Sequence, residues 1–276
     1  MIKTTRQLKD KINNMSGGNP EKAQTLYRNY MMERFLERVS LSDYRNKFIL
    51  KGGMLVASLV GLDMRATMDI DTSITALDLS EDGITKIIRD IISVPVDDNV
   101  SFEIVETGTI MDDFDYPGIR IKMLALFGTS RQPIKIDIST GDIITPAAVR
   151  YEYPLMFENR TIPVMSYNLE TLLAEKLQTI MVRAETNTRM RDFYDVYILA
   201  KTETIDYPAL AAAFEATCKA RNSQALIPNK NAVYSAVRDS AAMKKQWDRY
   251  RENSFYVGDL SWEEVISECI ALIAKS

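Results

Sequence analysis

Apolar residues recur at three- and four-residue steps over 21–39, where Leu26, Tyr30, Met31, Phe35 and Leu36 mark one side of a helix. A short apolar segment, Phe48-Ile49-Leu50, runs into Gly52-Gly53, and 54–60 is again helical in pattern. The stretch 68–75 alternates and predicts a strand, with Asp69, Asp71 and Ser73 on one face and Ile70, Thr72 and Ile74 on the other. Ser80 suits the N-cap of a helix over 81–93, whose first-turn Glu81 and Asp82 complement the helix dipole. Strand patterns follow at 100–107, 118–127 and 133–139. Residues 140–165 hold Pro146, Pro154 and Pro163 and read as irregular, with a short strand near 161–165. Beyond Asn168, an N-cap residue by type, helical patterns cover 169–183, 190–202, 207–221, 230–251 and 261–274. The chain thus divides into a mixed α/β part over 1–165 and a helical part over 166–276.

Composition narrows the chemistry. Of the 276 residues none is histidine, which removes Ser-His-Asp and Cys-His nucleophiles, imidazole bases and His-ligated zinc or haem. The charged fraction of 26%, the hydrophobic fraction of 46% and the net charge of -4 are those of an ordinary globular protein. Cys218 and Cys269 lie too far apart for a metal-ligand or redox motif, so a reduced, cytoplasmic setting is expected. The polar start MIKTTRQLKDKI is not a signal peptide, and the apolar run 48–62 is interrupted by Lys51 and two glycines, so no membrane association is expected.

Four constellations carry the remaining options. Gly52-Gly53 ahead of a helix lets backbone amides approach a phosphate. Asp69 and Asp71, at i and i+2 on a strand, point the same way with Cα atoms roughly 6.6 Å apart, a spacing that suits divalent cations of the Mg²⁺ type. The alternative is a tight turn followed by a solvated strand face. In Ile134-Lys135-Ile136-Asp137-Ile138, Asp137 joins the carboxylate pair if its strand neighbours that of Asp69; otherwise it is an outward-facing strand residue. On the helix 169–183, Lys176 falls inside the apolar stripe of Leu172, Leu173, Leu177 and Ile180, where a lysine needs an anionic partner or snorkels to water. Finally, Asp192 and Asp195 share a helix face near Arg189 and Arg191, either as functional groups or as a salt-bridge network. In this order, glycine turn, three carboxylates and a basic residue suit phosphoryl or nucleotidyl transfer.

The run Phe48-Ile-Leu-Lys-Gly-Gly-Met-Leu followed by Arg65-Ala-Thr67-Met-Asp69-Ile-Asp71 resembles the signature of the AbiEii/AbiGii toxin family of nucleotidyltransferases. So do Ile136-Asp137-Ile138, Ala174-Glu175-Lys176-Leu177 and Arg191-Asp192-Phe-Tyr-Asp195-Val-Tyr197, in family order over about 20–200. The resemblance implies an α+β protein: a DNA-polymerase-β-like nucleotidyltransferase core with a mixed sheet, plus a C-terminal helical lobe. It implies the toxin half of a type IV toxin–antitoxin system that aborts phage infection, with an AbiEi-like DNA-binding antitoxin encoded nearby that need not touch the toxin. It also implies a nucleoside triphosphate substrate, with GTP associated with the family, and transfer to the 3′ acceptor end of tRNA. By position, Gly52, Gly53, Arg65, Thr67 and Lys176 would contact the nucleotide, and Asp69, Asp71 and Asp137 would hold Mg²⁺. Asp69, Asp71, Asp137, Lys176, Asp192 and Asp195 would be the catalytic set. Met54 departs from the family, which often has a small or hydroxyl residue there.

Between Lys219 and Arg251 the chain carries a net charge of +6, with Trp247 and Tyr250 interleaved among the basic residues. Such a segment suits RNA phosphates, or is a set of solvated helix faces. Two other readings keep the same motifs: nucleotidylation of a protein hydroxyl, and a nucleotide-binding module without transfer activity.

Overall fold

The computed structural model describes residues 2–75, 77, 80–110 and 118–276. Among these residues the protein is α+β, with ten α-helices and one mixed seven-stranded sheet. The chain order is α1 (Thr5–Ser16), α2 (Pro20–Leu41), β1 (Phe48–Lys51), α3 (Gly52–Val60), β2 (Ile70–Ile74), α4 (Glu81–Ile92), β3 (Val100–Ile110), β4 (Gly118–Phe127), β5 (Ser130–Thr140), β6 (Val149–Pro154) and β7 (Thr161–Ser166). Then come α5 (Leu169–Arg183), α6 (Met190–Thr202), α7 (Tyr207–Ala220), α8 (Lys230–Asp239), α9 (Ala241–Glu252) and α10 (Trp262–Lys275).

The sheet order is β3-β4-β5-β2-β1-β7-β6. The β2–β5 and β1–β7 pairs are parallel and the others antiparallel. Alternation divides β4 and β5 cleanly. Ile119, Ile121, Met123, Ile134, Ile136 and Ile138 are buried, and helices α2 and α4 pack on the sheet. The residues between them, Arg120, Lys122, Lys135 and Asp137, share the opposite face.

Two elements depart from the hydrophobic pattern. Helix α1 buries only Leu8 and Ile12 among its apolar residues, and it is fixed at its start by a capping box of Thr4 and Gln7. Strand β6 lies in the proline-bearing stretch that reads as irregular. It forms because β6 is an edge strand and Pro163 of β7 faces it at Glu152, beyond the Met165 and Ser166 positions where β7 meets β1. The expected helix over 230–251 is two helices, broken at Ser240, whose ψ of 116° is extended.

Helix α2 buries charge as well as apolar groups. Arg38 makes a bidentate pair with Asp98, at 2.8 and 2.9 Å, and donates to the Val100 carbonyl at 2.6 Å. Glu33 accepts the Met156 N–H at 3.1 Å, and Arg34 pairs with Glu37 at 2.7 Å. These contacts tie α2 to the start of β3 and to the turn between β6 and β7.

The chain forms two compact units. One comprises Met1–Ser58, Arg65–Asp142 and Val149–Ser166; the other comprises Leu59–Met64, Ile143–Ala148 and Tyr167–Ser276. Within the second, Tyr194 donates to the Met64 carbonyl at 2.6 Å and Asn168 Nδ2 to the Thr145 and Ala147 carbonyls, so the two short segments that precede residue 167 are fastened to the helices. Its core holds Trp247, Trp262, Phe193 and Tyr234, and both cysteines are buried and free. Among the described residues no helix is long and apolar enough to cross a membrane.

Asp98 is fully buried against Arg38. Arg38→Ala is therefore expected to cost about 3–5 kcal/mol in urea unfolding, by stranding that carboxylate. A loss under about 1 kcal/mol would mean that the pair does not fasten α2.

Candidate active site

Strand β1 ends at Lys51, directly opposite Asp71 of β2. The chain then turns into α3 through Gly52, whose φ is +61°. A Cβ on Gly52 would stand 2.7 Å from the Asp71 carboxyl carbon, so only glycine lets the carboxylate lie against this backbone. Gly53 donates its N–H to Asp71 Oδ2 at 3.4 Å. A Cβ at Gly53 would meet Thr67 Oγ1 at 2.8 Å and Arg65 Nη2 at 3.0 Å. Arg65 and Thr67 are both buried, Arg65 donates to the Ala66 carbonyl and Thr67 to the Asp69 carbonyl. Of the five residues expected at the nucleotide, four thus meet at one turn.

Strand pairing assembles the carboxylates. Lys51 faces Asp71, Asp71 faces Asp137 and Asp137 faces Arg120, in one row across β1, β2, β5 and β4. Asp69 lies one residue ahead of β2, rather than inside it, and receives Lys135 Nζ at 2.8 Å. The same ammonium is 3.5 Å from Asp137, and Arg120 grips both Asp137 oxygens at 2.8 Å each. On the other flank Lys51 pairs with Asp142 at 2.8 Å, and Ser139 donates to the same Asp142 oxygen at 2.5 Å. The sequence motifs contain Lys51 and Lys135 but assign no role to them or to Arg120. Their signal is the strand alternation, which puts them on the carboxylate face once the strand order is known.

The electrostatics follow from this crowding. Burial, then the charges of Asp69 and Asp137, push the Asp71 carboxyl up to about 6, against the opposing pull of Lys51 and the Gly53 amide. Burial works to lower Lys135, but its hydrogen bond to Asp69 and the charges of Asp69 and Asp137 raise it above the usual lysine range. A carboxylate whose charged state is disfavoured by two neighbouring carboxylates is a place where an added cation is stabilising. Asp69 and Asp71 offer the hard oxygen donors that Mg²⁺ takes. Asp137 is different: its oxygens are on Arg120. Among the described residues no three acidic or thiol side chains stand close enough to share one ion, so the expected three-carboxylate metal set is not assembled in this arrangement.

The other predicted residues meet in the helical unit. Lys176 of α5 is buried and donates to Asp192 at 3.0 Å and Asp195 at 2.7 Å, both on α6. Arg189 adds a 2.7 Å bond to Asp192. Burial pushes Asp192 up, but Lys176 and Arg189 outweigh it and hold its carboxyl at about 2. Lys176 therefore finds its anionic partners within the protein. The basic segment 219–251 is partly neutralised by residues outside and inside it: Arg221 pairs with Glu175, Lys244 with Glu263 and Arg238 with Asp239. Trp247 is fully buried and donates to the Leu260 carbonyl, so it is a core residue and not an aromatic platform.

Comparison with known proteins bears on this site. The model of the family described as "Nucleotidyl transferase AbiEii toxin, Type IV TA system" matches residues 34–268. The solved structure of JHP933 from Helicobacter pylori is similar over 91% of this chain and 90% of its own, at 15% identity and a TM-score of 0.52. A second Helicobacter pylori structure, provisionally described as a nucleotidyltransferase, is similar over 91% of this chain and 93% of its own, at 15% identity and a TM-score of 0.48. Curated proteins gave no match.

The crowding of Asp71 sets a pH dependence. Because its folded value of about 6 lies above the ordinary carboxylate value of 3.8, the stability it contributes is complete below about 3.8 and is lost as pH rises through 6. Asp71→Asn is therefore expected to raise the melting temperature of metal-free protein at pH 7–8, with the gain vanishing near pH 4. Thermal unfolding across that range checks this, and a variant less stable than wild type at pH 8 contradicts it.

Proposed function

The chain belongs to the AbiEii nucleotidyl transferase toxin family of type IV toxin–antitoxin systems, and from that premise we propose that it transfers a nucleoside monophosphate from GTP to RNA, at the 3′ acceptor end of tRNA. It is a nucleotidyltransferase, and its family implies a nucleoside triphosphate substrate and a cognate antitoxin. We assign that antitoxin as AbiEi-like and acting without direct binding to this chain. The observation that carries the reading is the row Lys51–Asp71–Asp137–Arg120, with Gly52 pressed onto Asp71.

At the glycine turn the start of α3 presents backbone amides to the triphosphate, and the missing Cβ atoms leave room for the Asp71 carboxylate, Arg65 and Thr67 beside that backbone. Arg65 and Thr67, packed beneath Gly53, fix that turn. Asp69 and Asp71 would hold Mg²⁺, which when bound supplies positive charge to the phosphates. Asp137 accepts the hydrogen of the attacking hydroxyl, and Arg120 sets the orientation of its carboxylate. Lys51, anchored on Asp142, places a buried positive charge beside Asp71. Lys176, Asp192 and Asp195 complete the required set as the charged centre of the helical unit. With no histidine in the chain, the pH–rate profile carries no imidazole step.

Incubation of labelled GTP, CTP and ATP with purified tRNA and with protein lysate tests the reading. The expected result is Mg²⁺-dependent label on tRNA, strongest with GTP, falling at least about 100-fold in Asp71→Asn. Label on protein, or equal labelling by the variant, would overturn it.

A further inference from the structure

The face that carries the catalytic aspartates continues past them. On β4, Lys122 follows Arg120 by two residues and so points the same way, about 6.6 Å further along the strand. Its cross-strand partner on β5 is Lys135. Two lysines directly opposite one another repel and destabilise a strand pair. Each is offset by an acid at its outer end: Lys135 by Asp69 at 2.8 Å and Lys122 by Glu106 of β3 at 2.9 Å. Lys122 and Glu106 are both more than half exposed, at 53% and 59%. Arg120 and Lys135 are partly open, at 28% and 32%. The buried face of the same strands is wholly apolar at Ile119, Ile121 and Met123.

The position of this strip across the sheet assigns its ligand. The glycine turn, at β1, lies on one side of Asp71, and the strip, on β5 and β4, lies on the other. Phosphoryl transfer places the attacking and leaving oxygens roughly in line through the phosphorus. With the leaving pyrophosphate at the glycine turn, the acceptor approaches from the β5–β4 side. We infer that Arg120, Lys122 and Lys135 form the binding strip for the phosphodiester backbone of the acceptor RNA, with Glu106 occupying Lys122 until RNA replaces it. This rests on the RNA-acceptor reading above and names the surface that holds the RNA.

Glu106 supplies a test that a plain surface ion pair fails. If Lys122 and Glu106 only stabilise each other, removing either has the same small effect. If Lys122 binds RNA and Glu106 competes for it, the two variants move in opposite directions. Affinity for tRNA, by fluorescence anisotropy in a KCl series, is measured for wild type, Lys122→Ala, Lys122→Arg and Glu106→Gln. The KM for GTP and the melting temperature are measured alongside. Lys122→Ala is expected to weaken tRNA binding roughly threefold to tenfold and to reduce the salt slope by about 0.7 to 1. Glu106→Gln is expected to tighten binding, Lys122→Arg to keep it near wild type, and the KM for GTP to stay unchanged in all three. Equal or same-direction effects of Lys122→Ala and Glu106→Gln overturn the strip. A wild type that labels tRNA while the variants bind it alike overturns the strip alone. A wild type that neither labels nor binds RNA overturns the acceptor reading with it.

Discussion

Carboxylates that share one sheet face at one register repel, and a fold that keeps them must hold counter-charges at the same register. Here the parallel pairing of β2 with β5 sets Asp71 beside Asp137, and the residue before β2 adds Asp69. Lys51 closes the row at one end and Arg120 at the other, while Lys135 bridges Asp69 and Asp137. Burial and repulsion still leave Asp71 raised to about 6. Packing alone would favour an asparagine there. On the proposed reading, these carboxylates give up stability for chemistry.

The glycine turn depends on the same constraint. Gly52 has no Cβ because the Asp71 carboxyl lies where one would stand, and Gly53 has none because Thr67 and Arg65 close in beneath it. The backbone that in the proposed reaction approaches the triphosphate is thus shaped by the aspartate it serves. The helical unit repeats the logic with a buried cation: Lys176 is tolerated in the core because Asp192 and Asp195 face it from α6.

Much of this was legible in the chain. The alternation over 68–75 and 133–139 marks the aspartate strands, and the position of Lys176 within its apolar stripe calls for an acid partner. What was not legible depends on pairing between distant segments. Arg120 reads as an ordinary polar residue in GIRIKMLALF until β4 is known to run antiparallel beside β5. The prolines of 140–165 hide β6: Pro154 ends that edge strand, and Pro163 lies in β7 away from its pairing with β1. The charge of 219–251 overstates its field, since Glu175 and Glu263 come from other helices, and Trp247 packs inward. Helix α1 carries only two apolar core contacts, too few to set a period.

In the proposed reaction Asp69 and Asp71, crowded by Asp137, form the cation-binding centre. The most direct test is the shift in melting temperature that Mg²⁺ produces at pH 8 with a non-hydrolysable GTP analogue present, in wild type and in Asp71→Asn. Wild type is expected to show a rise that grows with Mg²⁺ concentration and is absent in the variant, although the variant starts from a higher melting temperature. Equal rises in the two proteins would contradict it.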